Sequence, residues 1–373
     1  VLSQGQAAVS RCSPETLPTL AGQLPLKNLR IYSGSPTGNL YAFDAVQGTM
    51  RWCHHIDMLP QQMFIYPIYV PAPPPPKAIG TPAVANGLVY VCADNGYVYA
   101  FNTSDGSYRW STAIGTFAGF QPVYDDGTLY TEGSTENQEN FYALNASDGS
   151  VRWKASIELY STFLAAGTLY GSDGNALYAL NTSNGSVRWQ FQNDSSLDGT
   201  PTGANGLVYT SSSDGYRVYA LDANTGALRW SYWVGPAPSS PMVANGVVYV
   251  TAGTAGTGDT LLYALSASDG TLLWSLKVGA INPDTPVLAN GVIYLAGDGL
   301  YALDARQGTL LWHNALGFTP MPPAVTNTGI FVQSEDGNSI FDLLHPQDGA
   351  VLAQMSITDA HYSPPITSVV LAP

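Results

Sequence analysis

His54 and His55 stand side by side, directly after Cys53. Imidazole and thiolate are the usual ligands of zinc and its neighbours, so the triplet first raises metal binding. The surrounding stretch MRWCHH reads as a strand, whose successive side chains point to opposite faces. Two imidazoles so placed cannot grip one ion, and a plain strand is the reading adopted. His313, His345 and His361 lie apart in sequence. There is no G-x-S-x-G, and no Cys/His pairing stands out, although Ser, His and Asp brought together by folding could still form a triad. The cysteines, Cys12, Cys53 and Cys92, form no C-x-x-C. Three thiols allow at most one intrachain disulfide. In an exported protein Cys12 could bridge Cys53 or Cys92; three buried or free thiols is the alternative.

The acidic residues read as turn chemistry. Asp94-Asn95-Gly96, Asp173-Gly174, Asp214-Gly215, Asp298-Gly299 and Asp336-Gly337 are turn dipeptides, since short carboxylates bond their own backbone. Glycosylation sequons occur at Asn102, Asn145, Asn181, Asn184 and Asn193, four of them inside one recurring turn, as by-products of its composition.

That recurring turn organises the chain. VYALDANTGALRW ends at Trp230, and versions of it end at Trp52, Trp110, Trp153, Trp189, Trp274 and Trp312. An eighth copy, IFDLLHPQDGAVLA, ends at Ala353 without the Trp. Upstream of the copies lie segments such as TPAVANGLVYVCAD and SPMVANGVVYVTAG. They are short, β-branched and aromatic, and broken by Asn-Gly, the hairpin dipeptide. Each unit is therefore four strands, A to D, and a period near forty residues means a solenoid or propeller. Gly48, Gly106, Gly149, Gly185, Gly226, Gly270, Gly308 and Gly349 hold one turn position, which points to a positive φ there. Arg before Trp in five copies places charge on an outer edge strand, where it discourages sheet-to-sheet pairing. The tail SPPITSVVLAP supplies an A strand that the first copy lacks, so residues 363–371 are expected to close the ring.

Composition excludes some partners. The net charge is −14 and only 11% of residues are charged, which argues against nucleic acid and anionic lipid. No apolar run is long enough to span a membrane. The chain begins at Val1 without a basic, apolar leader, as a mature or trimmed form does.

The pattern A-x-D-x-x-T-G-x-x-x-W is complete at Ala220, Asp222, Thr225, Gly226 and Trp230. It resembles the pyrroloquinoline-quinone-type propeller repeat, and the resemblance covers Asn28 to Pro373. It implies an all-β, eight-bladed propeller of four-stranded antiparallel blades, with Trp docked between blades, behind a lead segment of residues 1–27. Members of such families include quinone-dependent dehydrogenases, a propeller lipoprotein of outer-membrane-protein assembly, and extracellular sensor domains, so fold alone leaves function open. The dehydrogenases carry adjacent cysteines over the quinone and a carboxylate/amide set for calcium. Here His54 follows Cys53 and Ala93 follows Cys92, so neither PQQ nor calcium is expected.

Alternating strands put the A–B and C–D turns on one face and the B–C and D–A loops on the other. The second face varies from copy to copy, with 133–140, 253–259 and the insert DMLPQQMFIYPIYVPAPPPP at 57–76. Variable loops on a rigid frame are where binding concentrates. Phe64, Tyr66 and Tyr69 of the insert are the candidate contacts for a protein or small ligand; a structural plug is the alternative. The expectation is a non-catalytic, extracytoplasmic binding or scaffold propeller. A quinone-dependent dehydrogenase and a self-associating surface or matrix protein are the alternatives.

Overall fold

The computed structural model describes residues 30–34, 38–44, 50–56, 79–118, 121–135, 138–254, 258–279, 285–316, 322–326, 329–333, 340–356 and 370–372. Among these residues there is no helix longer than a single turn, and the strands form eight antiparallel sheets, the blades of a propeller. Blade 5 is typical: strand A is Thr202–Ala204, B is Leu207–Ser212, C is Arg217–Asp222 and D is Leu228–Trp233. Strand A is innermost and D forms the outer edge. The short A strands are half-buried, whereas B and C are buried along most of their length. In blade 3 the inner strand is split into Phe117–Ala118 and Val123–Asp125, both paired to Thr128–Thr135.

The A–B turns follow from their dipeptides. Asn205 and Gly206 have φ of 53° and 78°, as a two-residue hairpin with two left-handed positions requires. Asn86-Gly87, Asn245-Gly246 and Asn290-Gly291 repeat this.

Ring closure is as expected from the tail. Val370–Ala372 is the inner strand of blade 1, with Arg30 opposite Ala372, Ile31 opposite Leu371 and Tyr32 opposite Val370. The pairing reaches one residue beyond the expected end; residues 363–369 and the lead segment 1–27 lie outside the described residues.

The core is the set of blade-to-blade contacts. One cluster joins Tyr90, Val98 and Trp110 of blade 2 to Leu129, Tyr142 and Leu144 of blade 3. The repeat Trp is central to seven of these contacts. Trp189 lies on strand D of blade 4 opposite Ala179 of strand C, where a small side chain leaves room for the indole. Its ring covers Gly226 in the C–D turn of blade 5, and its Nε1 donates to the Ala223 carbonyl at 3.0 Å. Gly226 has φ of 72°, and a Cβ there would stand 2.7 Å from the indole. Glycine is thus demanded twice, by the backbone and by the neighbour's ring. Trp52, Trp110, Trp153, Trp230, Trp274 and Trp312 cover Gly106, Gly149, Gly185, Gly270, Gly308 and Gly349 in the same way. A tyrosine from strand B completes the clasp: Tyr209 packs 5.8 Å from Trp230, and both donate to the Ala267 carbonyl of blade 6 at 3.0 Å. The last blade has Ala353 at the Trp position, so the indole clasp is missing where the ring closes.

Each C–D turn among the described residues is held by its own polar residue. Asp222 Oδ1 accepts from the Asn224 and Thr225 amides and the Thr225 hydroxyl, all at 3.0 Å. Its other oxygen pairs with Arg229 at 2.6 Å. That guanidinium, followed by the Thr225 hydroxyl, lowers the Asp222 carboxyl to about 2. Arg51 likewise pairs with Asp44, while Arg152 and Arg188 reach Thr128 and Thr168 at 2.7 Å. These arginines therefore fasten their own blade as well as charging its edge. The sequon asparagines do similar work: Asn145, Asn181 and Asn184 accept from the amides of Ser147, Ser183 and Ser186.

Candidate functional site

The residues that suggested metal chemistry do not converge. His55 Nδ1 lies 2.6 Å from Asn39 Oδ1 within blade 1. His54 points the other way, its ring 4.7 Å from that of Phe101 in blade 2. Burial first, and then neighbouring His55, push the His54 pKa below its ordinary value. Its Nε2 is buried without a hydrogen-bond partner. No group of three His, Cys, Asp or Glu among the described residues is placed to hold a metal. Cys53 is disulfide-bonded. Cys92 is a buried free thiol at 3.2 Å from the Thr131 hydroxyl of blade 3, and burial pushes its pKa up to about 12. Cys12, and Phe64, Tyr66 and Tyr69 of the insert, lie outside the described residues.

The variable face carries two exposed aromatic residues in blade 5. Seven of the eight Trp residues occupy the repeat position; the eighth, Trp233, falls three residues later. It ends strand D, opposite Arg217, and is 53% exposed. Tyr216, in the B–C loop beside it, is 41% exposed and has φ of 55°. A bulky residue in the left-handed region carries strain, and such strain persists where surroundings enforce it. Here the Tyr216 carbonyl accepts from Val234 N at 2.9 Å and Gly235 N at 3.4 Å. This ties the loop to the strand end that bears Trp233.

Next to the aromatic pair, blades 4 and 5 are latched by hydroxyls and carboxylates. Strand D of blade 4 runs on to Leu197. Asp214 Oδ1 accepts from Ser196 N at 2.9 Å, Ser196 Oγ at 2.8 Å and Ser212 Oγ at 3.0 Å. Asp198 accepts from Ser213 N at 2.9 Å. The Ser196 and Ser212 hydroxyls hold the Asp214 carboxyl below its usual range. The two loops are therefore fixed to each other before any partner arrives. Tyr160, in the connection from blade 3 to blade 4, is a third aromatic on this face at 62% exposed.

Glu132 of blade 3 is the titratable group of note on this side. Burial, then Glu139 and Glu158, raise its pKa to about 7, from an unfolded value of about 4.3. The fold thus favours its neutral form, so its contribution to stability is full below about pH 4 and is lost as pH rises through about 7. Between pH 5 and 8 the native protein is expected to lose thermal stability that Glu132→Gln retains. Melting curves across that range check this, and parallel pH profiles would contradict it.

No helix among the described residues is long and apolar enough to cross a membrane.

The crystal structure of BamB from Moraxella catarrhalis superposes with a TM-score of 0.63 at 16% identity, covering 94% of this chain and 98% of that one. The computationally designed Ika8 protein gives 0.64 at 13% identity, with 92% and 97% covered. The quinohemoprotein alcohol dehydrogenase ADHIIG from Pseudomonas putida HK5 gives 0.56 at 14% identity, with 84% and 68% covered. At these identities the likeness concerns the fold alone. No curated protein matches the sequence. The family model described as outer membrane protein assembly factor BamB matches residues 4–158, 158–243 and 233–372. Matched over nearly its whole length, the chain belongs to this family of PQQ-like propellers.

Proposed function

We propose that this chain is a non-catalytic, extracytoplasmic binding or scaffold propeller that holds a protein partner on its variable face. The observation that carries this reading is the exposure of Tyr216 and Trp233 at one end of blade 5, on two backbone segments that are hydrogen-bonded to each other. Exposed aromatics that lose little entropy on binding make strong contacts. The neighbouring Ser/Asp latch provides a polar rim, which suits a protein surface better than a small apolar ligand. Family membership supports the same reading, as the model bears the name of an assembly factor. The disulfide-bonded Cys53 supports an oxidising compartment. The insert at 57–76 is a second proposed contact, through Phe64, Tyr66 and Tyr69.

The test replaces Tyr216 with Asn, which accepts a positive φ, and Trp233 with Ser. Capture of partners from an envelope extract of the source cells is expected to fall by about tenfold or more while the melting temperature holds. Undiminished capture by the folded double variant would refute the contact role. The rival reading, quinone-dependent oxidation, is favoured by the dehydrogenases of like fold. Reconstitution with PQQ and calcium addresses it, since bound-quinone absorbance would restore that reading.

A further inference from the structure

On five consecutive blades the residue before the repeat Trp is arginine: Arg51, Arg109, Arg152, Arg188 and Arg229. On the last three blades that position is Leu273, Leu311 and Leu352, so that the apolar residue found before it on every blade, here Leu272, Leu310 or Val351, is joined by a second one. All six side chains are between 39% and 54% exposed. They stand on the outer strands of blades 6, 7 and 8, Leu272–Gly279, Leu310–Asn314 and Val351–Ser356, which no further strand covers among the described residues. Edge strands normally carry charge to prevent pairing with another chain, and here that charge is withdrawn from one sector only.

The chemistry of this sector favours a second copy of the chain. Six half-exposed apolar side chains offer on the order of 500 Å². Set against itself, the strip would bury at most about 1,000 Å², close to the lower bound for a specific interface. A self-facing contact places like against like, so in a chain of net charge −14 an uncharged strip is the surface that two copies can share without repulsion. The adjoining C–D turns carry exposed Asp269, Arg306 and Asp348 on blades 6, 7 and 8, an alternation of sign. A two-fold axis can set Arg306 of each copy opposite an acidic turn of the other. We infer that the chain forms an isologous dimer through the outer edges of blades 6 to 8. This surface is separate from the variable face, so either proposal can fail without the other.

The test is sedimentation velocity of the full chain from about 1 to about 100 μM at low salt, beside the double variant Leu273→Arg and Leu311→Arg. Arginine occupies this position natively in five blades, so the substitutions are compatible with the fold. The native chain is expected to shift to a dimer with rising concentration. The variant is expected to need at least about tenfold more protein to do so, with an unchanged melting temperature. A native chain that stays monomeric throughout, or a variant that dimerises equally well, overturns the inference. A monomer that instead floats with phosphatidylcholine vesicles also overturns it and assigns the strip to lipid.

Discussion

Gly226→Ala is expected to cost much more in the native protein than in a chain already carrying Trp189→Ala. Trp189→Ala alone should destabilise by about 3–5 kcal/mol, the usual range for removing a buried indole. In the native chain the Gly226→Ala methyl meets two penalties. The left-handed backbone costs about 1–2 kcal/mol, and the indole 2.7 Å away adds about 1–3 kcal/mol of overpacking. Once the indole is gone only the backbone penalty remains. The double-mutant cycle should therefore give a coupling of at least about 1 kcal/mol, measured by urea denaturation. Strict additivity would mean that the neighbour's ring does not dictate this glycine.

Ending the chain at Val369 is the second large expected effect. It removes the strand that pairs with Arg30–Tyr32 and bares the inner edge of blade 1. This is also the side of the ring where the indole clasp is missing, because Ala353 stands in the Trp position. The ladder hydrogen bonds lost amount to about 1 kcal/mol each, and the open edge becomes a template for aggregation. The truncated chain should melt earlier and scatter light at concentrations where the full chain does not. Equal melting temperatures and equal scattering would show that the tail is dispensable for closure.

Repetition decided what could be read in advance. A demand that recurs in every blade is written many times, so the Asn-Gly turns and the turn glycine stand out from sequence. So does the closing strand, because the first copy lacks one. The strand-B tyrosine was as regular as the Trp, yet its meaning depends on the next blade's carbonyl, a contact at 58 residues' separation for Tyr209 and Ala267. The arginine before Trp was legible as an edge charge but not as the anchor of Asp222, which needs the turn's geometry. Function is written only once per chain, and periodicity hides it. Trp233 is hidden in the sequence because it lies three residues from Trp230 and reads as part of the same strand. Its signal was arithmetic: eight Trp residues for seven repeat positions. Tyr216 had no such marker, since its positive φ appears only in the folded backbone.

The central claim, that the variable face of blade 5 contacts a protein, is most directly tested by photo-crosslinking in the source cells. A photoreactive residue placed at Trp233 is compared with one at Val187, which is equally exposed but lies on the outer edge of blade 4. The account predicts a discrete protein adduct from position 233, none from position 187, and loss of the adduct when Tyr216→Asn is added. No adduct at 233, or the same adduct from both positions, would contradict it.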